Sequence, residues 1–192
     1  ICAGEPTGSE GVITAIKTDG TLWTWGSGFA GCRASGDVVF SSSPAQVGSL
    51  TNWETVAGER NSYIATKTDG TLWGWGANMQ FQLSTGYSIA RSSPVQIGSL
   101  TNWARGAGKI TCGRTRGGAV KTDGTLWVWG YNDDGELGLG YVDNGKNSPV
   151  QVGSLTDWKS IQTFDAKYGE QGGFLAIKTG GTIWSWGFGL AG

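Results

Sequence analysis

The 192-residue sequence contains no histidine. This absence removes the commonest general base, the Ser-His and Cys-His nucleophile pairs, and the commonest side-chain ligand for metal ions. Cysteine is also scarce, because only Cys2, Cys32 and Cys112 are present and none has C-x-x-C spacing. Neither a zinc site nor a closed disulfide framework is expected from such a set. We therefore predict a protein that is not an enzyme and that has no metal and no cofactor.

Charged residues and long apolar runs are scarce as well. Charged side chains make up 15% of the sequence, and 14 basic residues oppose 15 acidic ones for a net charge of −1. This balance provides no overall field that would hold a nucleic acid or an anionic membrane surface. The sequence has no apolar run of the about 18 residues that a membrane-spanning helix needs. We expect no nucleic-acid partner and no membrane span.

Glycine and tryptophan, in contrast, are abundant, and they recur in fixed places. Every one of the 11 tryptophans belongs to one of two repeated phrases. The first reads K-T-D-G-T-L-W-x-W-G, with small changes in its last copy, and begins at residues 17, 67, 121 and 178, so that successive copies are 50, 54 and 57 residues apart. The second, S-P-x-Q-x-G-S-L-T-x-W, occupies residues 43–53, 93–103 and 148–158. Self-similarity at this period indicates a repeat architecture.

Each copy of the first phrase predicts a β-hairpin, because apolar and polar residues alternate on both sides of a turn signal. Asp19-Gly20, Asp69-Gly70 and Asp123-Gly124 are interpreted as two-residue turns, with Gly180-Gly181 in the last copy. Such a turn would place Ile16 opposite Trp23 and Thr14 opposite Trp25. We predict that the aromatic face packs one repeat on the next, through Trp23, Trp25, Trp73, Trp75, Trp127, Trp129, Trp184 and Trp186.

Two further short strands, around S-P-x-Q and N-W-x-x-V, give four strands in each period. Four-stranded units of about 50 residues, each with an aromatic face that only a neighbour can bury, predict an all-β fold of propeller blades. A β-solenoid is the alternative. The predicted boundaries are 1–26 for the second half of a first blade, 27–76, 77–130 and 131–187 for three blades, and 188–192 for the start of another.

The order of these motifs resembles the repeats of the regulator of chromosome condensation family. Its best copy has Asn132, Gly135, Leu137 and Gly138, followed by Ser148-Pro149 and by the tryptophans of the last hairpin. The resemblance implies antiparallel blades of a seven-bladed propeller, of which this sequence would supply about half. The Trp-rich Lys-Thr-Asp-Gly style is similar to bacterial and bacteriophage members. No segment resembles the family's guanine-nucleotide-exchange wedge, so exchange activity is not expected.

The sequence begins and ends inside a repeat, since I-C-A-G at residues 1–4 aligns with T-V-A-G at 55–58 and Gly192 aligns with Gly135. An open set of blades would expose an aromatic face and unpaired strand edges. We expect the remaining blades to come from the same longer chain, or alternatively from a second copy.

Length varies mainly at one place in the repeat. The Trp53-to-Lys67, Trp103-to-Lys121 and Trp158-to-Lys178 intervals are 14, 18 and 20 residues. Variable loops on a rigid scaffold are common binding sites, although solvated charge without a ligand is the alternative. The predicted contact residues are Glu59, Arg60, Asn61, Lys109, Arg114, Arg116, Asp165, Lys167, Tyr168 and Glu170. The acidic segment 131–145 lacks the spacing of a dedicated calcium loop and is interpreted as a connection between blades.

These observations predict a non-enzymatic binding or structural module whose partner is a protein or a surface glycan. The repeat style favours a surface or virion component, such as a phage tail or capsid appendage or a bacterial extracellular protein. A cytoplasmic protein-recognition scaffold and a carbohydrate-binding propeller are the alternatives.

Overall fold

The computed structural model describes residues 2–3, 11–165 and 172–187. These ranges contain 15 β-strands and a short 3-10 helix, Phe29–Gly31. The strands are β1 Cys2–Ala3, β2 Val12–Ile16, β3 Leu22–Gly26, β4 Ser41–Gln46, β5 Trp53–Glu59, β6 Ser62–Lys67, β7 Leu72–Gly76, β8 Arg91–Gln96, β9 Ile110–Cys112, β10 Arg116–Val120, β11 Leu126–Gly130, β12 Lys146–Gln151, β13 Trp158–Asp165, β14 Gly172–Lys178 and β15 Ile183–Gly187. No helix in the described ranges has the length and hydrophobicity needed to cross a membrane.

Consecutive strands pair antiparallel into four separate sheets, called here blades 1 to 4. Blade 1 is β1-β2-β3-β4, blade 2 is β5-β6-β7-β8 and blade 3 is β9-β10-β11-β12, while blade 4 consists of β13-β14-β15 in the described residues. The first strand of each blade lies beside the first strands of its neighbours, and the fourth strand lies at the outer edge. The predicted antiparallel four-stranded units are confirmed.

The blades are offset by one strand from the division that the sequence predicts. The boundaries at 26/27, 76/77 and 130/131 separate the S-P-x-Q strand from the sheet in which it is hydrogen-bonded. This strand pairs with the W-x-W strand before it, as Gln96 does opposite Trp73, and not with the strand that follows it. The segment 188–192, predicted to begin another blade, lies outside the described residues.

The hairpin turns differ from the prediction by one residue. In the first hairpin Ile16 pairs with Leu22, and Lys17 donates its N–H to the carbonyl of Thr21 at 3.0 Å, so the loop has three residues and not two. Gly20 has a φ of +78°, which gives the hairpin a turn followed by a glycine bulge. Trp23 therefore faces Ala15 rather than Ile16, and the predicted pairing is wrong by one position.

A side-chain network accounts for the three-residue loop. The Asp69 carboxylate accepts hydrogen bonds from the backbone N–H and the hydroxyl of Thr71, at 3.0 and 2.6 Å. The same hydroxyl accepts the indole N–H of Trp73 at 2.8 Å. The hydroxyl bond, reinforced by the backbone N–H, holds the pKa of Asp69 below its usual value. The network recurs in the first and third hairpins, from Asp19 and from Asp123.

The last hairpin lacks this network, because Gly180 occupies the position of the aspartate. We expect Gly180→Asp to raise the free energy of unfolding by about 0.5–1 kcal/mol, through new bonds to Thr182 and lower chain entropy when unfolded. Space is available, since a Cβ atom at Gly180 has no heavy atom within 4 Å. Urea unfolding at neutral pH measures the gain.

Gly180→Ala is the control for the entropic part of that gain. Hydrogen bonds in the folded state would lower the pKa of the new carboxyl, so its stabilisation is complete above the unfolded-state pKa. The stabilisation is then lost as the pH falls through the folded-state pKa. Equal stability of the two variants at neutral pH would contradict the predicted network.

The second tryptophan of the W-x-W strand lies between consecutive blades in blades 2 and 3. Trp75 is fully buried against residues of blade 1, and its indole N–H donates to the carbonyl of Cys32 at 3.1 Å. Trp129 is fully buried between blades 2 and 3 and donates to the carbonyl of Gln82 at 2.8 Å. On blade 4, Trp184 is 49% exposed.

Candidate binding surface at the loop rim

Antiparallel pairing divides the connections between two rims. The K-T-D-G hairpins and the G-S-L-T segments lie together at one end of the strands, called here the turn rim. The opposite end, called the loop rim, carries the turn between the first and second strands of each blade. It also carries the long loops between the third and fourth strands, residues 27–40, 77–90 and 131–145.

Most of the described residues that the sequence predicts as contacts lie at the loop rim. Glu59, Arg60 and Asn61 form or flank the β5–β6 turn, and Arg114 and Arg116 belong to the β9–β10 turn or follow it. Asp165 ends β13 on the same rim. Lys109 lies at the other end of β9, where its ammonium donates to the carbonyl of Lys159 at 2.6 Å. Lys167, Tyr168 and Glu170 lie outside the described residues.

Arg116 is a fully buried residue rather than an exposed contact. Its guanidinium lies 3.4 Å from the Asp165 carboxylate and donates to the hydroxyl of Thr115 at 2.9 Å. The other carboxylate oxygen of Asp165 accepts the backbone N–H of Arg114 at 3.1 Å. Burial lowers the pKa of Arg116, and the charge of Asp165 opposes that shift. An arginine guanidinium keeps its proton in proteins. This ion pair ties blade 3 to blade 4 behind the loop rim.

A pocket of about 360 Å³ opens on the loop rim between blades 2 and 3. We call it the blade 2–3 pocket, and its main side chains are those of Phe29, Arg60, Met79, Gln80, Gln82 and Arg114. The Gln82 amide donates to the carbonyl of Arg114 at 3.0 Å and so joins the two blades. Its amide oxygen accepts the backbone N–H of Gln80 at 2.9 Å. These bonds preform the polar wall of the pocket.

The loops 77–90 and 131–145 share the hydrogen bonds from backbone N–H groups that shape this wall and differ in its side chains. Asn78 accepts the N–H of Leu83 through its side chain, and Asn132 accepts that of Leu137 in the same way. In the later loop the N–H of Asp134 donates to the Glu136 carboxylate at 3.0 Å, matching the bond between Gln80 and Gln82. The backbone arrangement is thus shared. Gln80 and Gln82 occupy the positions of Asp134 and Glu136.

The carboxylates of segment 131–145 do not converge on one point. Glu136 is buried, Asp134 is exposed, and Asp143 pairs with Lys146 and accepts the amide of Asn132 at 3.1 Å. Within residues 2–3, 11–165 and 172–187, no three potential metal ligands cluster. The carboxylates of Glu136 and Asp143 instead accept hydrogen bonds from within the loop and stabilise its conformation.

The loop rim also exposes large apolar side chains, a feature that the sequence reasoning missed. Each of the three long loops contributes, through Phe29, Val38, Val39 and Phe40 in the first, Met79, Tyr87 and Ile89 in the second, and Tyr141 and Val142 in the third. Apolar residues that follow Gly36, Gly86 and Gly140 in the three loops were the available signal. Contiguous exposed apolar surface is typical of protein interaction sites.

Stacked antiparallel blades with first strands innermost define a β-propeller segment, and its loops carry the candidate binding surface. Residues 69–119 and 123–164 match the family described as the regulator of chromosome condensation (RCC1) repeat. Two stretches of the chain are therefore similar to repeats of this type. The predicted propeller fold is confirmed, and the β-solenoid alternative is wrong.

The chain is also similar to a curated protein and to solved structures. Over 81 residues the chain is 33% identical to the human E3 ubiquitin-protein ligase HERC2, covering 42% of this chain and 2% of HERC2. Human WBSCR16 is similar in structure, with a TM-score of 0.73, 20% identity, and coverage of 92% of this chain and 45% of WBSCR16. Prp20p from Saccharomyces cerevisiae has a TM-score of 0.76, 21% identity, and coverage of 93% and 43%. The chain spans less than half of each, and the two structural likenesses, at 20% and 21% identity, establish the fold alone.

Proposed function

We propose that the chain is a non-enzymatic protein-binding module that contacts its partners through the loop rim. The observation that carries the proposal is the apolar surface that three successive loops expose on this one rim. Large apolar side chains are costly to expose to water, and a protein partner would bury them. The structure of Prp20p is described together with its binding to Gsp1p and histones, so a propeller of similar fold has protein partners.

The finer hypotheses about setting and partner differ in their support. The virion or extracellular hypothesis rests on the Trp-rich repeat style alone, and a cytoplasmic recognition scaffold fits the same surface equally well. The carbohydrate hypothesis would need tryptophans available for stacking. Trp75 and Trp129 are buried between blades, and the exposed apolar side chains of the three described loops on the loop rim include no tryptophan, which favours a protein partner.

We also propose that a further blade packs on the outer face of blade 4. Ile183 is 71% exposed there, whereas Leu72 and Leu126, at the corresponding positions of blades 2 and 3, are fully buried by the next blade. Leu175 and Ile177 on the same face are exposed too. A further blade from the same longer chain or from a second copy would cover this surface.

The test of the proposed function compares two sets of equivalent substitutions. One variant replaces Phe40, Ile89 and Val142 of the loop rim with serine. The matched control replaces Leu50, Leu100 and Leu155, which are exposed at equivalent positions of the turn rim. We expect the loop-rim variant to capture partner proteins about tenfold less from a lysate of the source organism, quantified by mass spectrometry, because the buried apolar area is lost.

The control variant should capture the same proteins as the unmodified chain. Equal capture by both variants, or equal loss in both, would contradict a contact surface on the loop rim. Circular dichroism of each variant before the assay establishes that the fold is retained.

A further inference from the structure

We propose that the blade 2–3 pocket binds an acidic peptide segment of a partner protein, with a carboxylate between Arg60 and Arg114 and an apolar side chain beside it. This inference rests on the proposed protein-binding function and assigns a ligand chemistry to one point of the loop rim.

The first argument is uncompensated positive charge. Neither the Arg60 nor the Arg114 guanidinium has an ion-pair partner within residues 2–3, 11–165 and 172–187. The nearby carboxylate of Asp165 is already engaged by Arg116 and by a backbone N–H. The Nε atom of Arg60 is buried and has no hydrogen-bond partner among the described residues. A guanidinium presents parallel donors that match the two oxygens of a carboxylate.

The second argument is the replacement of acids by amides in this wall. The loop of blade 3 has Asp134 and Glu136 at the positions where blade 2 has Gln80 and Gln82. Since both pairs make the same bond within the loop, the fold does not require the change. The amides leave the pocket without a carboxylate of its own, and the two arginines keep their charge for a ligand.

The third argument is the backbone of Arg60. This residue is the first of the two that connect Glu59 to its partner Ser62, and its φ is +54°. Glycine is favoured at the first position of such a turn, because a side chain strains a left-handed backbone. A strained residue in a pocket points to a role for its side chain rather than for its backbone.

The volume and the lining residues of the pocket indicate which class of ligand it binds. A volume of about 360 Å³ is near the lower end of the about 300–1,000 Å³ typical of ligand sites, and it accommodates side chains rather than a folded domain. Phe29 and Met79, which are 59% and 80% exposed, form its apolar edges. A bare phosphate ion would use the arginines and leave these edges in water. An acidic residue next to an apolar one would use both.

The experiment selects random dodecapeptides displayed on phage against the unmodified 192-residue chain. We expect enrichment of Asp or Glu next to Leu, Ile or Phe. A synthetic selected peptide, measured by fluorescence polarisation, should bind about tenfold more weakly to Arg60→Gln/Arg114→Gln and to Gln80→Glu. Changing the acidic residue of the peptide to its amide should cause a similar loss, since either change removes the same attraction.

Two variants separate binding from folding. Arg105→Gln removes one charge from a surface arginine that pairs with Glu54 outside the pocket, so its affinity for the peptide should not change. Arg60→Gly removes the guanidinium and the backbone strain together. It should unfold at a higher urea concentration than the unmodified chain and nevertheless lose the peptide.

Several results would overturn the inference. These are selection without acidic enrichment, undiminished binding by Arg60→Gln/Arg114→Gln, and displacement of the peptide by inorganic phosphate at equal concentration. The last result would identify a simple anion site. The serine variant of Phe40, Ile89 and Val142 leaves the pocket intact. Loss of partner capture by that variant, with capture retained by the double arginine variant, would support the proposed function and reject the peptide site.

Discussion

Replacement of Trp129 by alanine is expected to lower the free energy of unfolding by about 3–5 kcal/mol. The indole is fully buried among Ile64, Leu72 and Ile97 of blade 2 and apolar residues of blade 3. Its removal leaves a cavity at the blade interface, and the carbonyl of Gln82 loses a buried donor. Urea unfolding followed by far-ultraviolet circular dichroism measures the loss without depending on tryptophan fluorescence.

Trp184→Ala is the control for this prediction, because Trp184 is the first tryptophan of the same repeated phrase on blade 4 and has 49% of its surface exposed. It should cost less than half as much, since less apolar area is lost from the interior. Trp129→Phe should lower the free energy of unfolding by less than Trp129→Ala and by more than Trp184→Ala, because the phenyl ring fills part of the cavity without supplying the N–H donor. Equal losses in the two alanine variants would contradict a role of Trp129 in joining the blades.

The repeat sequence predicts the number and type of strands well, because each strand and turn signal recurs in register. The register in which the two strands of each hairpin pair is less predictable, since it depends on the aspartate side chain in the turn. The Asp-Gly dipeptide alone favours a two-residue turn, but the bonds from Thr21 to Asp19 favour the three-residue loop that is present. That difference of one residue determines which side chains share a face with each tryptophan.

The candidate pocket is only partly predictable from the sequence. Arg60 and Arg114 belong to the variable segments between repeated phrases, and the variation marks them as candidates. Gln80 and Gln82 come from a different loop, and only packing between blades brings them beside Arg114. The sequence of a single repeat does not show this contact between neighbouring blades. Alignment of Asn78 with Asn132 would have shown that Gln80 and Gln82 replace Asp134 and Glu136. It would not have shown that these amides lie beside Arg114.

Replacement of Asp165 by alanine is expected to destabilise the fold by about 3–5 kcal/mol, because it removes an ion-pair partner that lies 3.4 Å from a buried guanidinium. Arg116 has no exposed surface, and its contacts with Asp165 and Phe164 link blade 3 to blade 4. Glu54→Ala is the control, since it breaks an ion pair with Arg105 in which both side chains are more than a third exposed. That change should cost about 1 kcal/mol or less in the same urea titration.

A double variant identifies why Asp165→Ala loses stability. If the cost arises from a buried charge that has lost its contact with Asp165, Arg116→Met/Asp165→Ala should recover much of the stability that Asp165→Ala loses, because the charge is removed with its partner. If the double variant instead loses as much stability as Arg116→Met and Asp165→Ala lose together, packing and not charge is responsible. Asp165 also accepts the N–H of Arg114, so its loss should loosen the turn that carries one of the two pocket arginines. The double variant should therefore regain stability without regaining full affinity for the acidic peptide.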